Sequence, residues 1–215
     1  MIRAAQIGLG WWGKTLVESV QGTSDRIRFV AATSRTKSDD YLAFAQQQGL
    51  AYVDSYEAIL ADPAVDAVVL ATPHSQHAAQ VIAAAKAGKH VFCEKPLAMT
   101  AKQAREMAET ARRARTKTGQ PVRTLLWHNY RRCPAAMTAA QLIAAGKLGK
   151  VQQVRAVYLQ DWLTDDSCPW LWRHDAATSG SGAHGDLNAH LIDMCRFLTG
   201  LEFTEVVGME KTFIT

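Results

Sequence analysis

The segment Gly8-Leu9-Gly10-Trp11-Trp12-Gly13 constrains this chain more than any other, because it ends a short apolar run and opens a helix. Residues 2–9 are that run and read as a buried strand. Leu16, Val17 and Val20 then recur at helical spacing over residues 14–21. The first glycine of such a loop permits a tight turn, the second lets a pyrophosphate approach the main chain, and the third lets the helix pack on the strand. The helix presents free N–H groups and its positive dipole end to the phosphates. The ligand expected on Gly8, Gly10, Trp11, Trp12 and Gly13 is a dinucleotide.

The alternation continues beyond the loop. Residues 27–33 form a second apolar run, and Ser38 is placed to cap a helix that Gly49 closes. Asp54-x-x-Glu57 resembles a capping box. Residues 65–71 are again apolar, a helix follows over 78–87, and residues 90–93 form a short strand. Thr100-x-x-Gln103 is a second capping box, opening a helix to about residue 115, and residues 121–127 return as a strand. Strands apolar on both faces between helices predict a parallel sheet covered on each side. The expected fold of residues 1–125 is thus α/β, a doubly wound Rossmann domain.

The pattern then changes. Residues 135–145 are helical, residues 151–162 alternate as in a sheet with one wet face, and residues 163–185 form a loop rich in Trp, Gly and Ser. Residues 186–198 are helical and residues 203–215 strand-like. This predicts an α+β domain over 126–215 with an open, mostly antiparallel sheet. Two strands make a marginal sheet, so that domain reads as truncated.

Composition narrows the function. In 215 residues the net charge is +4, a mild excess. The densest basic run, residues 112–117, lies at a helix end, where it suits the dipole, so nucleic acid is not an expected partner. Four cysteines without a CxxC pair suggest neither zinc nor disulfides, and are expected to be small, mostly buried thiols in a reducing compartment. The start runs straight into a strand, with no charged-then-apolar leader pattern. No apolar run approaches the roughly 20 residues of a membrane span. The expectation is a cytoplasmic protein without a membrane partner.

Cofactor choice is expected at the end of the second strand, where a carboxylate would hold the ribose hydroxyls of NAD. Thr33-Ser34-Arg35-Thr36-Lys37 stands there instead. Ser34 suits a phosphate oxygen, and Arg35 can pair with it or stack on adenine. NADP is favoured, or both cofactors are accepted.

Lys89-His90-Val91-Phe92-Cys93-Glu94-Lys95-Pro96 places a lysine just past a strand's carboxyl end, where ligands of open α/β sheets bind. Pro96 makes the preceding bond a candidate for cis geometry. Several segments, in order, resemble the Gfo/Idh/MocA oxidoreductases. They are the glycine loop, Ala71-Thr72-Pro73 with His77, Ala87-Gly88-Lys89-His90-Val91 with Glu94-Lys95-Pro96, Arg131 with Pro134, Gly146-Lys147-Leu148-Gly149, and Asp186-x-x-x-His190-x-x-Asp193. Trp172-Arg173 with Gly180-Ser181-Gly182 is similar to the sugar and polyol dehydrogenase branches. The resemblance implies a Rossmann domain followed by an α+β domain whose sheet packs on a partner subunit, giving a dimer or tetramer at full length. It implies that Lys95 and His190 are catalytic with Asp186 assisting. It also implies cofactor contacts from the loop, Thr72, Pro73, His77, Glu94 and Lys95.

The residues of the last helix support a related reading. At 100° per residue Asp186, His190 and Asp193 share a stripe bordering the apolar one of Leu187, Leu191, Met194 and Leu198. That predicts a polar row at the lip of the core. His190 is then a general base oriented by Asp186 or Asp193, or else Asp186 is a helix cap and His190 a satisfied boundary residue. A metal is not expected, because no further ligands stand out. His74, His128, His174 and His184 read as surface or loop residues. Trp162, Trp170 and Trp172 suit either the apolar face of a sugar or packing on a sheet. The function expected is hydride transfer between a secondary hydroxyl of a sugar or polyol and a nicotinamide cofactor. The alternative is a dinucleotide-binding regulator or scaffold without catalysis.

Overall fold

A computed structural model describes residues 1–163, 165 and 167–212. The chain divides into two compact units, residues 1–127 with 177–180, and residues 128–176 with those from 181 onward.

In the first unit strands and helices alternate: β1 (Ile2–Ile7), α1 (Trp11–Val20), β2 (Ile27–Thr33), α2 (Asp39–Gln47), β3 (Ala51–Tyr52), α3 (Tyr56–Ala61), β4 (Ala67–Leu70), α4 (His74–Lys86), β5 (His90–Glu94), α5 (Ala101–Arg113) and β6 (Thr124–Trp127). They form one sheet of order β3-β2-β1-β4-β5-β6, parallel throughout. The order reverses between β1 and β4, which opens a ligand crevice beyond the carboxyl ends of those strands.

Successive strand residues point to opposite faces. Ala4, Ala67 and Val69 therefore join Leu9, Val17, Phe29 and Phe44 in one apolar cluster. Ala5, Val68 and Leu70 join Ile59, Val81, Val91 and Met107 in another. Burial on both faces is what makes these strands read as unbroken apolar runs.

Side-chain caps set several helix starts. Ser38 accepts from the Tyr41 amide at α2, and Thr100 and Gln103 complete a reciprocal capping box at α5. At α3 the expected box on Asp54 is corrected: Ser55 is the cap and accepts from Ala58 N–H, while Asp54 pairs with Lys37 at 2.9 Å. Among the thiols only Cys93 is buried, contrary to expectation. Cys133 is exposed, and Cys168 and Cys195 lie between.

The second unit contains a 3₁₀ turn (Asn129–Arg132), α6 (Pro134–Ala144), a 3₁₀ turn (Trp172–His174), the start of α7 (Ala176–Ser179), a π-turn (His184–Asn188) and α8 (Ala189–Thr199). Helix α6 packs against α8. The open antiparallel sheet expected here is not formed among the described residues. Residues 151–160 and 201–212 are in no strand. A strand needs a neighbour to take its N–H and C=O groups, and alternation of side chains does not supply one. Residues 213–215 of the expected last strand lie outside the described residues. The helix expected from residue 186 is also corrected, since its first turn is π and the α-geometry begins at Ala189. Among the described residues no helix is long and apolar enough to cross a membrane.

Candidate active site

The glycine loop joins β1 to α1 at the point where the strand order reverses, and its glycines answer to different demands. Gly8 has φ +90°, and a Cβ there would lie 2.5 Å from the Ala71 carbonyl oxygen. A Cβ on Gly13 would lie 2.0 Å from the Gly8 carbonyl oxygen. Gly10 has φ −63°, which any residue adopts, and nothing lies within 4 Å of where its Cβ would be. The chain itself makes no demand on Gly10. A phosphate over the amino end of α1 would, and the helix opens there without a side-chain cap or an acidic residue in its first turn. This is the fit of the loop to a dinucleotide.

Gln6 supports the loop from below. It is 0% exposed, and its amide donates to the Gly8 carbonyl at 3.1 Å. Its signal in the sequence is an amide inside a mostly apolar strand, which marks something polar that needs a partner.

Trp12 reaches across to the end of β5, where its indole N–H donates to Glu94 Oε1. Glu94 Oε2 accepts the main-chain N–H of Lys95 at 3.2 Å. One carboxyl group thus ties the glycine loop to the main chain of the lysine. Burial pushes the Glu94 pKa up, against the pull of the Trp12 and Lys95 donors. Lys95 is half-buried, and the Lys95–Pro96 peptide is cis. Trp11, by contrast, is 79% exposed.

Thr72 and Pro73 lie on the link between β4 and α4, with Thr72 Oγ1 donating to Gln80 Oε1 at 2.6 Å. Pro73 is the N-cap position of α4. After β2, Ser34 is half-buried and Arg35 exposed. Among the described residues Arg35 has no ion-pair partner.

Two histidines of α4 depart from expectation. His77 was placed against the cofactor, yet it is 0% exposed, with its ring nitrogens 2.7 Å from the Pro96 carbonyl and 2.9 Å from the Thr72 carbonyl. No part of the ring is left to touch a ligand. His74 is buried too, with Nδ1 2.9 Å from the Ser179 carbonyl.

In the second unit the polar row of α8 is buried more deeply than the apolar stripe beside it. His190 and Asp193 are buried, whereas Leu191, Met194 and Leu198 are only half-buried. Asp193 accepts two hydrogen bonds from Arg131, at 2.8 and 2.5 Å, and lies 3.6 Å from His128 Nδ1. It anchors the turn before α6. His128 is therefore a nearly buried partner of this pair, not a surface residue. The His190 ring packs 4.6 Å from that of Tyr130, whose hydroxyl bonds that of Tyr158 at 2.5 Å. Burial first, then the Tyr130 hydroxyl, pushes the Tyr158 phenol to about 12, so it is protonated at neutral pH. Asp186, in the π-turn, lies 3.3 Å from Arg173 Nε, and the Arg173 guanidinium stacks over Trp172 at 4.5 Å. His184 is exposed and bonds Asn188. Tyr130 and Tyr158 were not singled out in the sequence, because nothing local marks an aromatic ring as a neighbour of a distant histidine. Among the described residues no group of His, Cys, Asp and Glu side chains could hold a metal ion.

A doubly wound sheet with a glycine loop at its switch point, bonded to a lysine-bearing link, has the architecture of a dinucleotide-binding α/β domain. Residues 2–119 match a family described as an oxidoreductase family with an NAD-binding Rossmann fold, and residues 136–215 match the GFO/IDH/MocA C-terminal domain. The chain belongs to the Gfo/Idh/MocA family.

Two curated relatives show the range. Levoglucosan dehydrogenase of Pseudarthrobacter phenanthrenivorans is 40% identical over 159 residues, 74% of this chain and 39% of that one. The 1,5-anhydro-D-fructose reductase of Ensifer adhaerens is 32% identical over 216 residues, 99% of this chain and 59% of that one. The chain thus spans about half the length of the curated relatives it matches. A solved structure of levoglucosan dehydrogenase in complex with NADH and levoglucosan aligns with a TM-score of 0.80 at 32% identity, covering 93% of this chain and 54% of that one. An oxidoreductase domain protein from Kribbella flavida aligns with a TM-score of 0.81 at 36% identity, covering 93% of this chain and 55% of that one.

Proposed function

We propose that the protein carrying this chain is an NAD(P)-dependent dehydrogenase acting on a secondary hydroxyl of a sugar or polyol. Residues 1–125 form its cofactor domain, and residues 126–215 belong to a substrate and oligomerisation domain. The observation that carries this reading is the Glu94 carboxyl group, which accepts from Trp12 of the glycine loop and from the main chain of Lys95. The lysine is held in register with the loop that binds the dinucleotide.

When bound, the nicotinamide accepts or delivers the hydride. Gly8, Gly10, Trp11, Trp12 and Gly13 hold the pyrophosphate side, while Thr72, Pro73, Glu94 and Lys95 line the approach to the reacting end. Lys95 donates a hydrogen bond to the substrate oxygen and stabilises the charge that builds on it as its proton leaves. His190 takes that proton. Asp186 orients the imidazole or the substrate, and Trp172 offers its ring to the apolar face of a sugar. The roles of His190, Asp186 and Trp172 rest on the family motif and on each residue's own surroundings. The same resemblance supports reading the full-length protein as a homo-oligomer, a dimer or tetramer. Its four unpaired cysteines suit a reducing, cytoplasmic compartment.

The test is Lys95→Ala in the full-length protein, assayed with a panel of sugars and inositols. Nucleotide affinity is expected to persist while turnover falls by about 10²-fold or more. Near-normal turnover in that variant overturns the assignment. Ser34 and Arg35 favour NADP, so NADPH is expected to bind more tightly than NADH. An NADH dissociation constant lower by about tenfold or more refutes that preference.

A further inference from the structure

His77 joins two exit links at the carboxyl end of the sheet. It lies in the first turn of α4 and is 0% exposed. Nε2 is 2.9 Å from the carbonyl oxygen of Thr72, on the link leaving β4. Nδ1 is 2.7 Å from the carbonyl oxygen of Pro96, on the link leaving β5. The ring donates to one of them when neutral and to both when protonated. Lys95 lies directly before Pro96, and its own N–H is held by Glu94. Its main chain is thus fixed on the amino side by a carboxyl group and on the carboxyl side by the imidazole. The link is braced again further on, where Met99 packs against Gly180, within 3.2 Å of where a Cβ would stand.

We propose that His77 is a positioning residue for Lys95: by bridging Thr72 and Pro96 it sets the spacing of the two links and so the point from which the lysine projects. This rests on the reading of Lys95 as catalytic. A lysine ammonium ends a flexible four-carbon stem, so its reach is only as well defined as the main chain that carries it. An aliphatic residue at 77 fills the space and loses both contacts, whereas a glutamine keeps N–H donors for a carbonyl on a differently shaped side chain. Burial alone gives no reason for a ring with two polar atoms at this position; two carbonyls from different links do.

The experiment compares His77→Leu, His77→Gln and the control Val81→Ala in the full-length protein. Val81 is a buried core residue of the same helix. Hydrogen exchange of residues 94–99 is measured without ligand, the NADPH dissociation constant by fluorescence, and kcat and KM with whichever sugar or inositol the unsubstituted protein turns over. His77→Leu is expected to speed exchange at 94–99 and to lower kcat by about tenfold or more, with KM and nucleotide affinity little changed. His77→Gln recovers part of both losses. Val81→Ala lowers the melting temperature without either effect. If His77→Leu matches Val81→Ala in exchange at 94–99 and in kcat, the proposal is overturned. If His77→Leu does not fold, His77→Gln and nitrogen-15 imidazole spectra of the unsubstituted protein decide. Two ring N–H signals protected from solvent exchange support the bridge, and a single one, or freely exchanging ones, overturns it. Absence of turnover across the panel, or turnover retained by Lys95→Ala, sinks the dehydrogenase reading while the exchange data still decide the bridge.

Discussion

Gly10 and Gly13 stand in the same loop for opposite reasons, and substitution separates them. A methyl group on Gly13 meets a carbonyl oxygen at 2.0 Å, so Gly13→Ala is expected to cost about 2 kcal/mol or more in chemical denaturation. A methyl group on Gly10 meets nothing within 4 Å and needs no unusual φ. Gly10→Ala is expected to change stability by no more than about 1 kcal/mol and yet to weaken nucleotide binding sharply. Unchanged nucleotide affinity in Gly10→Ala contradicts the placement of the pyrophosphate. The motif was legible in the sequence as three glycines. Which of them serves the fold and which the ligand was not, because that depends on how closely the carbonyl of Gly8 within the loop and that of Ala71 after β4 approach.

At the amino-terminal end of the sheet, β1 and β4 are pinned by Arg3 and Asp66. Asp66 Oδ1 accepts from Arg3 Nη2 at 2.7 Å, and Oδ2 accepts from the Arg3 main-chain N–H at 2.9 Å. The Arg3 guanidinium is the main reason that the Asp66 pKa lies below its ordinary 3.8. A carboxyl group with a lowered pKa in the folded state contributes stability above its unfolded value and loses it as pH falls through the folded one. Because both side chains are about a third exposed, the contribution is about 1 kcal/mol or less. The stability difference between the unsubstituted protein and Asp66→Asn, followed by urea denaturation, is expected to shrink below about pH 4; a difference constant down to pH 3 contradicts it. Elements with this kind of double-sided burial were legible: β4 is apolar throughout, and β1, β2 and β5 are mostly apolar in their middles, because helices cover both faces. Two-residue β3 leaves no periodicity to read. Residues 151–162 have a strand's alternation, yet pairing is a long-range matter that no local pattern supplies. The π-turn of residues 184–188 likewise displaces Asp186 from the stripe that constant helical spacing assigns it.

For the molecule as a whole, every residue of the buried apolar clusters among the described residues belongs to residues 1–127. The buried side chains of α8 are a histidine and a carboxylate, and Val157, Leu159, Val206 and Val207 stand 76%, 85%, 82% and 99% exposed. Local stability follows buried apolar contact. Native-state hydrogen exchange on this chain is expected to protect β1, β4 and β5 most and residues 151–160 and 201–212 least. Equal protection across both units argues against this ordering. The legibility of the site divides in the same way. Glycine loop, Glu94 and Lys95 could be read because one sheet end gathers them by topology. The aromatic neighbours of His190 and the Arg131–Asp193 anchor arise from pairings that sequence spacing does not encode. The open space over Gly10 has a thermodynamic consequence as well. A ligand that occupies it binds folded chain and not unfolded chain, and at a hundred times its dissociation constant it adds about 2.7 kcal/mol to the stability of the unit that holds it. A dinucleotide bound there would thus stabilise residues 1–127 by an amount that grows with the logarithm of its concentration.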